Sequence, residues 1–221
     1  MHIMEGYLPL LWCVIWFILA IPVVVYGIKE FNNRISQDKE EIILLLVSGL
    51  FMFFMSLIFE FPSVTGSCSH ACGTGLSTVF FGPSVTAVVA SLFIFLQAII
   101  FGYGGLTTLG ANILSMGIVG PVCGYFIWKQ LRIRNVNEVL SVLLVTIVIN
   151  IMTCVATAVE FALSYPDSNV ISSFVMFLVL YVINQIPLLI IDCIFTTIAF
   201  VICLSMFKVI KNNNLLDSFD W

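Results

Sequence analysis

The chain contains two histidines, His2 and His70, and the position of the first would allow it to form a metal chelate. The free α-amine of Met1, the backbone nitrogen of His2 and the Nδ1 atom of its imidazole can bind one ion together, in fused five- and six-membered rings. Such a nitrogen-rich, nearly planar donor set suits Ni(II), Cu(II) or low-spin Co(II), and His70 would supply a fourth nitrogen. The alternative is that His2 is a disordered terminal residue and that His70 only forms hydrogen bonds within its loop.

Two cysteines, Cys68 and Cys72, flank His70 in a segment rich in glycine and serine. With His70 they could form a soft site of two thiolates and one imidazole, which would favour zinc or copper. They could equally form a disulfide, or pack as small apolar side chains, and the sequence leaves these possibilities open. The other five cysteines lie in apolar stretches, where we expect packing: Cys13, Cys123, Cys154, Cys193 and Cys203.

The amino-acid composition indicates that these residues belong to a membrane protein. Of the 221 residues, 61% are hydrophobic and 9% are charged, whereas soluble domains carry about 25% charged residues. Several uncharged stretches reach the roughly 20 residues that a helix needs to cross a bilayer. The sequence therefore predicts an all-α, polytopic membrane helical bundle, and no basic patch suggests a nucleic-acid partner.

All eight lysines and arginines fall into three groups, within residues 29–39, 129–134 and 208–211. The positive-inside rule places every group on the cytoplasmic side, so an even number of crossings separates each group from the next. The first apolar segment lacks a basic flank, so we expect it to be retained rather than cleaved as a signal peptide. This predicts an N-out/C-in chain with seven crossings, at residues 8–28, 42–59, 72–81, 84–101, 108–128, 139–163 and 188–207.

Two of these crossings depend on prolines. The short one at 72–81 ends at Gly82-Pro83, because proline limits helix continuation. Residues 170–207 are too long for one upright helix, so Pro187 predicts an outer or tilted segment followed by the last crossing. Residues 102–106 should then lie outside, near the segment between Cys68 and Cys72.

This topology also places carboxylates around the predicted metal site. No lysine or arginine lies on the outer side, whereas several acids lie on or near it and would raise the local cation concentration. Asp192 is the clearest carboxylate within a crossing. Such residues are candidates for function, although Asp192 could instead pair with a neighbour or cap a helix start. The predicted outer acids are Glu5, Glu60, Glu160 and Asp167.

Six short runs, in order along nearly the whole chain, form a recognisable pattern. They are Met-His-Ile-Met-Glu-Gly-Tyr-Leu-Pro at 1–9, Pro-Ser-Val-Thr-Gly-Ser-Cys-Ser-His at 62–70, Gly-Thr-Gly-Leu at 73–76, Phe-Gly-Pro at 81–83, Gly-Gly-Leu-Thr-Thr-Leu-Gly-Ala-Asn at 104–112 and Gln-Ile-Pro-Leu at 185–188. In this combination the chain resembles the substrate-capture (S) component of energy-coupling-factor cobalt transporters, the CbiM type.

The resemblance implies a metal site made by the Met1 amine, the backbone nitrogen and imidazole of His2, and His70. It implies one integral membrane domain over 1–221, with a metal-binding tip and added N-terminal helix at 1–28, a six-helix S-component core at 29–211 and a cytoplasmic tail at 212–221. Met4 and Glu5 are typical of the cobalt branch, since nickel relatives tend to have Pro-Asp there. The expected substrate is Co²⁺, with Ni²⁺ as the alternative.

The resemblance also implies partners and a location. The chain would work in a prokaryotic plasma membrane with a transmembrane coupling (T) subunit, a small accessory membrane subunit and cytoplasmic ATPases, and would supply cobalt for cobalamin biosynthesis. It would not be an enzyme, because ATP hydrolysis would belong to the partner subunits. Two other functions compete with this one: a membrane thiol enzyme or sensor using Cys68 and Cys72, and a passive metal channel, for which no ring of carboxylates is evident.

The chain departs from the family pattern near the expected site. Pro-Thr would be expected after the loop histidine, where this chain has Ala71 and Cys72. A histidine would be expected at Tyr103, an acid at Asn150 and glutamate at Asp192. None of these changes removes an expected ligand, but each could alter the surroundings of the ion and its choice between cobalt and nickel.

Overall fold

The structure is a computed structural model that describes residues 1–37, 41–62, 66–167 and 169–210. The predicted tail at 212–221, and the basic residues Lys39 and Lys211, lie outside the described residues. The elements in chain order are β1 (His2–Ile3), α1 (Leu10–Gln37), α2 (Glu41–Ile58), β2 (Glu60–Pro62), β3 (Ser67–His70), α3 (Thr74–Ile100), α4 (Leu109–Asn112), a π-helical segment (Ile113–Val119), α5 (Gly120–Ile133), α6 (Glu138–Ser164) and α7 (Val170–Ile210).

Within the described residues, six helices are long and apolar enough to cross a membrane. They are α1, α2, α3, α6, α7 and the span Leu109–Ile133, in which α4, the π-helical segment and α5 follow without a break. The predicted class, a polytopic bundle of membrane helices, is therefore confirmed. The number is one fewer than the seven predicted crossings, and the difference lies in α3, which contains two of them.

Helix α3 is sharply broken at Gly82, which has φ 79° and ψ 174°. Ser77 and Thr86 are joined by a hydrogen bond of 3.1 Å between their hydroxyls, although nine residues of straight helix would separate them by about 13.5 Å. The chain therefore turns back on itself. A short limb, residues 74–81, packs against a long limb, residues 83–100, and the backbone conformation between them is open essentially only to glycine.

Helix α7 continues through Pro187 without interruption and is 41 residues long. The predicted division of this segment into an outer part and a separate crossing is therefore wrong. A proline removes one backbone donor. In an apolar environment the other main-chain groups have no water to bind, so they keep their helical hydrogen bonds and the helix continues on both sides of Pro187. At about 1.5 Å per residue, α7 is roughly 60 Å long, about twice the thickness of the hydrocarbon core.

A small antiparallel sheet, in the order β1-β3-β2, was not predicted. Its register places His2 opposite Cys68 and Glu60 opposite His70. The first residues of the chain are thus inserted between the helices rather than left at the surface, and Met1 and Ile3 are fully buried. They belong to an apolar cluster with residues of α6 and α7, such as Phe161.

Replacing Gly82 with alanine should destabilise the protein, because a Cβ atom is strained at this backbone conformation. We expect a loss of about 1–3 kcal/mol in the free energy of unfolding, measured as a lower thermal unfolding midpoint of the purified protein in detergent. Ser84→Ala, two residues further along the chain, is the control and should leave the midpoint nearly unchanged. Equal midpoints for Gly82→Ala and wild type would contradict the sharp reversal in α3.

Candidate metal site

The small sheet brings the two predicted metal-binding histidines together. The rings of His2 and His70 lie with their centroids 4.2 Å apart, and both side chains are buried. The Nδ1 atom of His70 is 2.9 Å from the carbonyl oxygen of Ala71, which accepts a hydrogen bond when Nδ1 carries the proton. This tautomer leaves a lone pair on Nε2 of His70. In the described part of the chain, the Nε2 atoms of both histidines have no hydrogen-bond partner.

Both histidines are held in the neutral form, in which imidazole can bind a metal. Burial, together with the nearby N-terminal charge, lowers the pKa of His2 to about 3. Burial is also the main reason why the pKa of His70 lies well below its usual value, with smaller contributions from the N-terminal charge and His2. Two buried neutral imidazoles with free nitrogens next to an amine form a nitrogen-rich donor set.

The N-terminus is fixed in this position by polar contacts from both ends of α4. The amide of Ile3 donates to Asn112 Oδ1 at 2.7 Å, and the carbonyl of Ile3 accepts from Thr108 Oγ1 at 2.8 Å and Asn112 Nδ2 at 3.1 Å. Gly104 lies close to His2, since a Cβ atom at Gly104 would be 3.6 Å from the Cβ of His2. Residues 102–106 were predicted to lie near the segment between Cys68 and Cys72, and Gly104 lies beside His2, whose register partner is Cys68.

The backbone nitrogen of His2 has a neighbour of its own. The amide of Ile3 points towards Asn112, whereas that of Met4 donates to the carbonyl of Gly66 at 3.0 Å. Because successive residues of a strand alternate in direction, the N–H of His2 points towards β3, where its register partner is Cys68. Use of this nitrogen as a metal ligand therefore requires its proton to leave and its pairing with β3 to be given up.

A network of polar side chains from α6 and α7 holds the segment that follows β3. Asp192 accepts hydrogen bonds from the backbone amide of Cys72 at 3.0 Å and from Asn150 Nδ2 at 2.7 Å. Gln185 Nε2 donates to the carbonyl of His70 and to Asn150 Oδ1, both at 2.9 Å. Asp192 also accepts from the amide of Gly73 at 3.2 Å, directly before α3 begins. Asp192 therefore pairs with Asn150 and with the backbone amides just before α3, and sequence reasoning missed the rest of this network.

The thiols of Cys68 and Cys72 are free and buried, so the possible disulfide is absent. Cys68 contacts Glu60, whereas Cys72 contacts the N-terminal amine and the hydroxyl of Thr153. No group of three or more histidine, cysteine, aspartate or glutamate side chains within the described residues is arranged to hold a metal. The structure therefore does not favour the predicted alternative of a site made from both thiols and His70.

Glu160 differs from the other predicted outer acids. Glu5 and Asp167 are exposed, but Glu160 is 1% exposed. It lies within electrostatic reach of the N-terminal amine, and among the described residues neither of its carboxylate oxygens has a hydrogen-bond partner. The sequence places Glu160 on or near the outer side, and it does not indicate that this carboxylate is buried beside the amine.

These features define a class of protein: a polytopic membrane protein with a buried set of nitrogen donors close to its N-terminus. The fold is that of transition-metal transporters. A solved structure described as a truncated transition metal transporter aligns with a TM-score of 0.81 and 26% identity, covering 93% of this chain and 99% of that one. A second, described as a transition metal transporter, aligns with a TM-score of 0.79 and 26% identity, covering 95% and 93%.

The sequence profile of the CbiM family, described as the cobalt uptake substrate-specific transmembrane region, matches residues 2–208, and the chain belongs to this family. A CbiM protein of Methanosphaera stadtmanae named for cobalt transport is 48% identical over 169 residues, or 76% of this chain and 75% of that protein. The cobalt transport protein CbiM of Streptococcus sanguinis is 38% identical over 202 residues, or 90% and 82%. The chain is therefore a multi-pass protein of a prokaryotic plasma membrane and a component of cobalt uptake.

The low pKa values of the two histidines make the stability of the metal-free protein depend on pH. In the unfolded chain a histidine takes up a proton near its ordinary pKa of about 6.5, whereas in the folded protein His2 resists protonation down to about 3. As the pH falls, the unfolded state thus binds more protons than the folded state. The free energy of unfolding should therefore decrease by about 1.4 kcal/mol per pH unit for each histidine below about pH 6.5. Thermal unfolding midpoints measured over this range would show the loss.

The variant His70→Gln provides the control, since glutamine does not titrate. Its midpoint should fall less steeply with decreasing pH than that of the wild type. A wild-type midpoint that stays constant below the ordinary histidine pKa, or a variant with the same slope as the wild type, would contradict the buried neutral state of His70.

Proposed function

We propose that this chain is the substrate-capture subunit of an energy-coupling-factor importer and that it takes up Co²⁺ at the outer face of the membrane. The ligands would be the Met1 amine, the backbone nitrogen and Nδ1 of His2, and a ring nitrogen of His70. The observation that carries the proposal is the pair of buried, neutral imidazoles of His2 and His70, whose centroids are 4.2 Å apart. The pair lies next to the buried N-terminus. Family membership in cobalt uptake supports Co²⁺ as the ion.

The proposed topology is N-out/C-in with seven crossings, in which the two limbs of α3 count separately. The short limb lies between Gly73, which is beside the site, and Gly82. Around Gly82 lies a cavity of about 630 Å³ whose lining includes Arg34, Lys129 and Arg132. The basic residues and the metal site are therefore at opposite ends of the short limb, and the positive-inside rule assigns the basic end to the cytoplasm.

The complete enclosure of the site supports the proposal of partner subunits. Met1, His2 and His70 are each at most 1% exposed, so an ion bound among them cannot leave without a rearrangement of the helices or of the N-terminal segment. A change of this kind needs a source of free energy that binding alone does not provide. We therefore propose that cytoplasmic ATPases, acting through a transmembrane coupling subunit and assisted by a small accessory membrane subunit, drive release inwards for cobalamin biosynthesis.

The competing thiol function has less support from the structure. Burial is the main cause that raises the pKa of the Cys68 thiol to about 12, and burial also raises the pKa of Cys72. Both are therefore protonated at neutral pH, whereas the thiolate is the reactive form in thiol enzymes and sensors. The complete enclosure of the histidines likewise disfavours a passive channel.

Acetylation of the Met1 α-amine tests the proposed function. The acetyl group removes the lone pair of the amine while leaving both histidines present, so we expect cobalt binding by the purified protein to be lost. Binding would be measured by calorimetry and metal content, with the N-terminal mass verified. The same protein with a free α-amine, prepared in parallel, is the control. Undiminished binding after acetylation would refute the proposed ligand set.

A further inference from the structure

The cavity around Gly82 lies at the end of the short limb of α3 that is away from the two histidines. Its volume is about 630 Å³, which is within the roughly 300–1,000 Å³ of small-molecule sites. Arg34 of α1, together with Lys129 and Arg132 of α5, lines it, and among the described residues one acid, Glu138, lines it with them. The cavity is therefore large enough for a ligand and carries an excess of positive charge.

Two of these cations are held against aromatic rings of their own helix. The Nζ atom of Lys129 lies 4.9 Å from the centre of the Tyr125 ring, and the guanidinium carbon of Arg132 lies 5.5 Å from the centre of the Trp128 ring. The members of each pair are four residues apart and are neighbours on one face of α5. A ring covers one side of its cation and leaves N–H donors on the other sides for a ligand.

The acids near these cations neutralise them only in part. Arg132 Nη1 is 2.9 Å from Glu138 Oε1, in a pair whose side chains are 36% and 44% exposed. Arg34 pairs with Glu30 and with Glu41 at 3.9 Å each, which is longer than a hydrogen bond. Exposed ion pairs are weak, and these pairs occupy few of the five N–H donors of a guanidinium. An anion of higher charge density can therefore compete for both arginines.

The rest of the cavity lining is mostly apolar and aromatic. Phe80 of the short limb stacks on Phe200 of α7 with the ring centroids 5.5 Å apart, and Trp128 meets Phe200 edge-on at 6.3 Å. These three side chains belong to the apolar core, so the wall that they form is fixed by packing. A small inorganic anion would use only the cations, whereas a ligand with an anionic and an apolar part would use both surfaces.

We propose that this cavity binds the headgroup of an anionic phospholipid from the inner leaflet of the membrane. The phosphate would lie among Arg34, Lys129 and Arg132, because guanidinium groups donate two N–H bonds to one phosphate and lysine adds a compact charge. The glycerol and the first acyl carbons would lie against the aromatic wall. Basic pockets between membrane helices on the cytoplasmic side suit such headgroups. The inference goes beyond the proposed function and uses only its orientation.

Native mass spectrometry of the full-length protein, titrated in detergent with phosphatidylglycerol or with phosphatidylcholine of the same acyl chains, tests the site. We expect the wild type to prefer phosphatidylglycerol. In the double variant Lys129→Gln/Arg132→Gln the affinity for this lipid should fall roughly 10- to 30-fold, because two cations that attract the headgroup are lost. The control Lys29→Gln/Arg134→Gln removes the same charge at exposed positions outside the cavity lining and should keep the wild-type affinity.

Three results would overturn the proposal. Equal affinity of the wild type for both lipids would exclude a site for an anionic headgroup and leave an acidic segment of a protein partner as the occupant. An equal loss of affinity in both double variants would show that the general surface charge attracts the lipid. Displacement of phosphatidylglycerol by inorganic phosphate would make the cavity a site for the free anion.

A phosphatidylglycerol with a photoreactive headgroup provides a test that needs no variant to fold. Its cross-links to the wild type should map to residues 79–82 and 125–133, and cross-links confined to other segments would overturn the proposal. None of these measurements uses cobalt. Their failure would therefore leave the metal site as proposed, and loss of cobalt binding would leave the lipid site as proposed.

Discussion

The burial of the chain's own N-terminus is the constraint on which the rest of this structure depends. Terminal residues are usually exposed and poorly ordered, yet Met1 and His2 are at most 1% exposed. Strand pairing between β1 and β3, and the contacts of Asn112 and Thr108 with Ile3, replace the water that these backbone groups lose. Since the amine, an amide and an imidazole are all within the first two residues, the anchored terminus is also the main part of the proposed donor set.

The second half of the site depends on a polar network in an apolar environment. Hydrogen bonds between buried groups are stronger than in water, and leaving one of the groups without a partner is costly. The contacts that Asp192, Asn150 and Gln185 make therefore connect α6 and α7 firmly to the segment from His70 to Gly73. The same segment leads into the short limb of α3, which connects the site to the basic cavity at Gly82. A rearrangement of these helices would thus be transmitted directly to the ligands.

Much of this arrangement could be predicted from the sequence because strong physical constraints act on it. The distribution of basic residues and the requirement for apolar crossings indicated that His2 and His70 lie at the same end of the bundle. Gly82 and Pro83 indicated the break in α3, because proline limits helix continuation. The chemistry of an amine followed by histidine singled out the terminus before any contact was known.

Other features depend on tertiary contacts that a sequence does not reveal. The small sheet consists of two to four residues per strand, which is too short to give an alternating pattern. Pro187 indicated a helix end, but the apolar surroundings of α7 override its local preference. Glu160 was predicted to lie on or near the outer side, and only the packing of α6 shows that it is buried beside the amine. Asn112 and Gln185 are far apart along the chain, and nothing local indicates that both serve the site.

The central claim is that the first two residues and His70 surround a single ion. Anomalous diffraction at the cobalt edge, from crystals of the cobalt-loaded full-length protein with a mass-verified N-terminus, tests it most directly. We predict one anomalous peak between His2 and His70, about 2 Å from the Met1 amine, the range of other first-row metal–nitrogen bonds. A peak elsewhere, such as in the cavity around Gly82, or a peak near the histidines that the amine does not reach, would contradict the account.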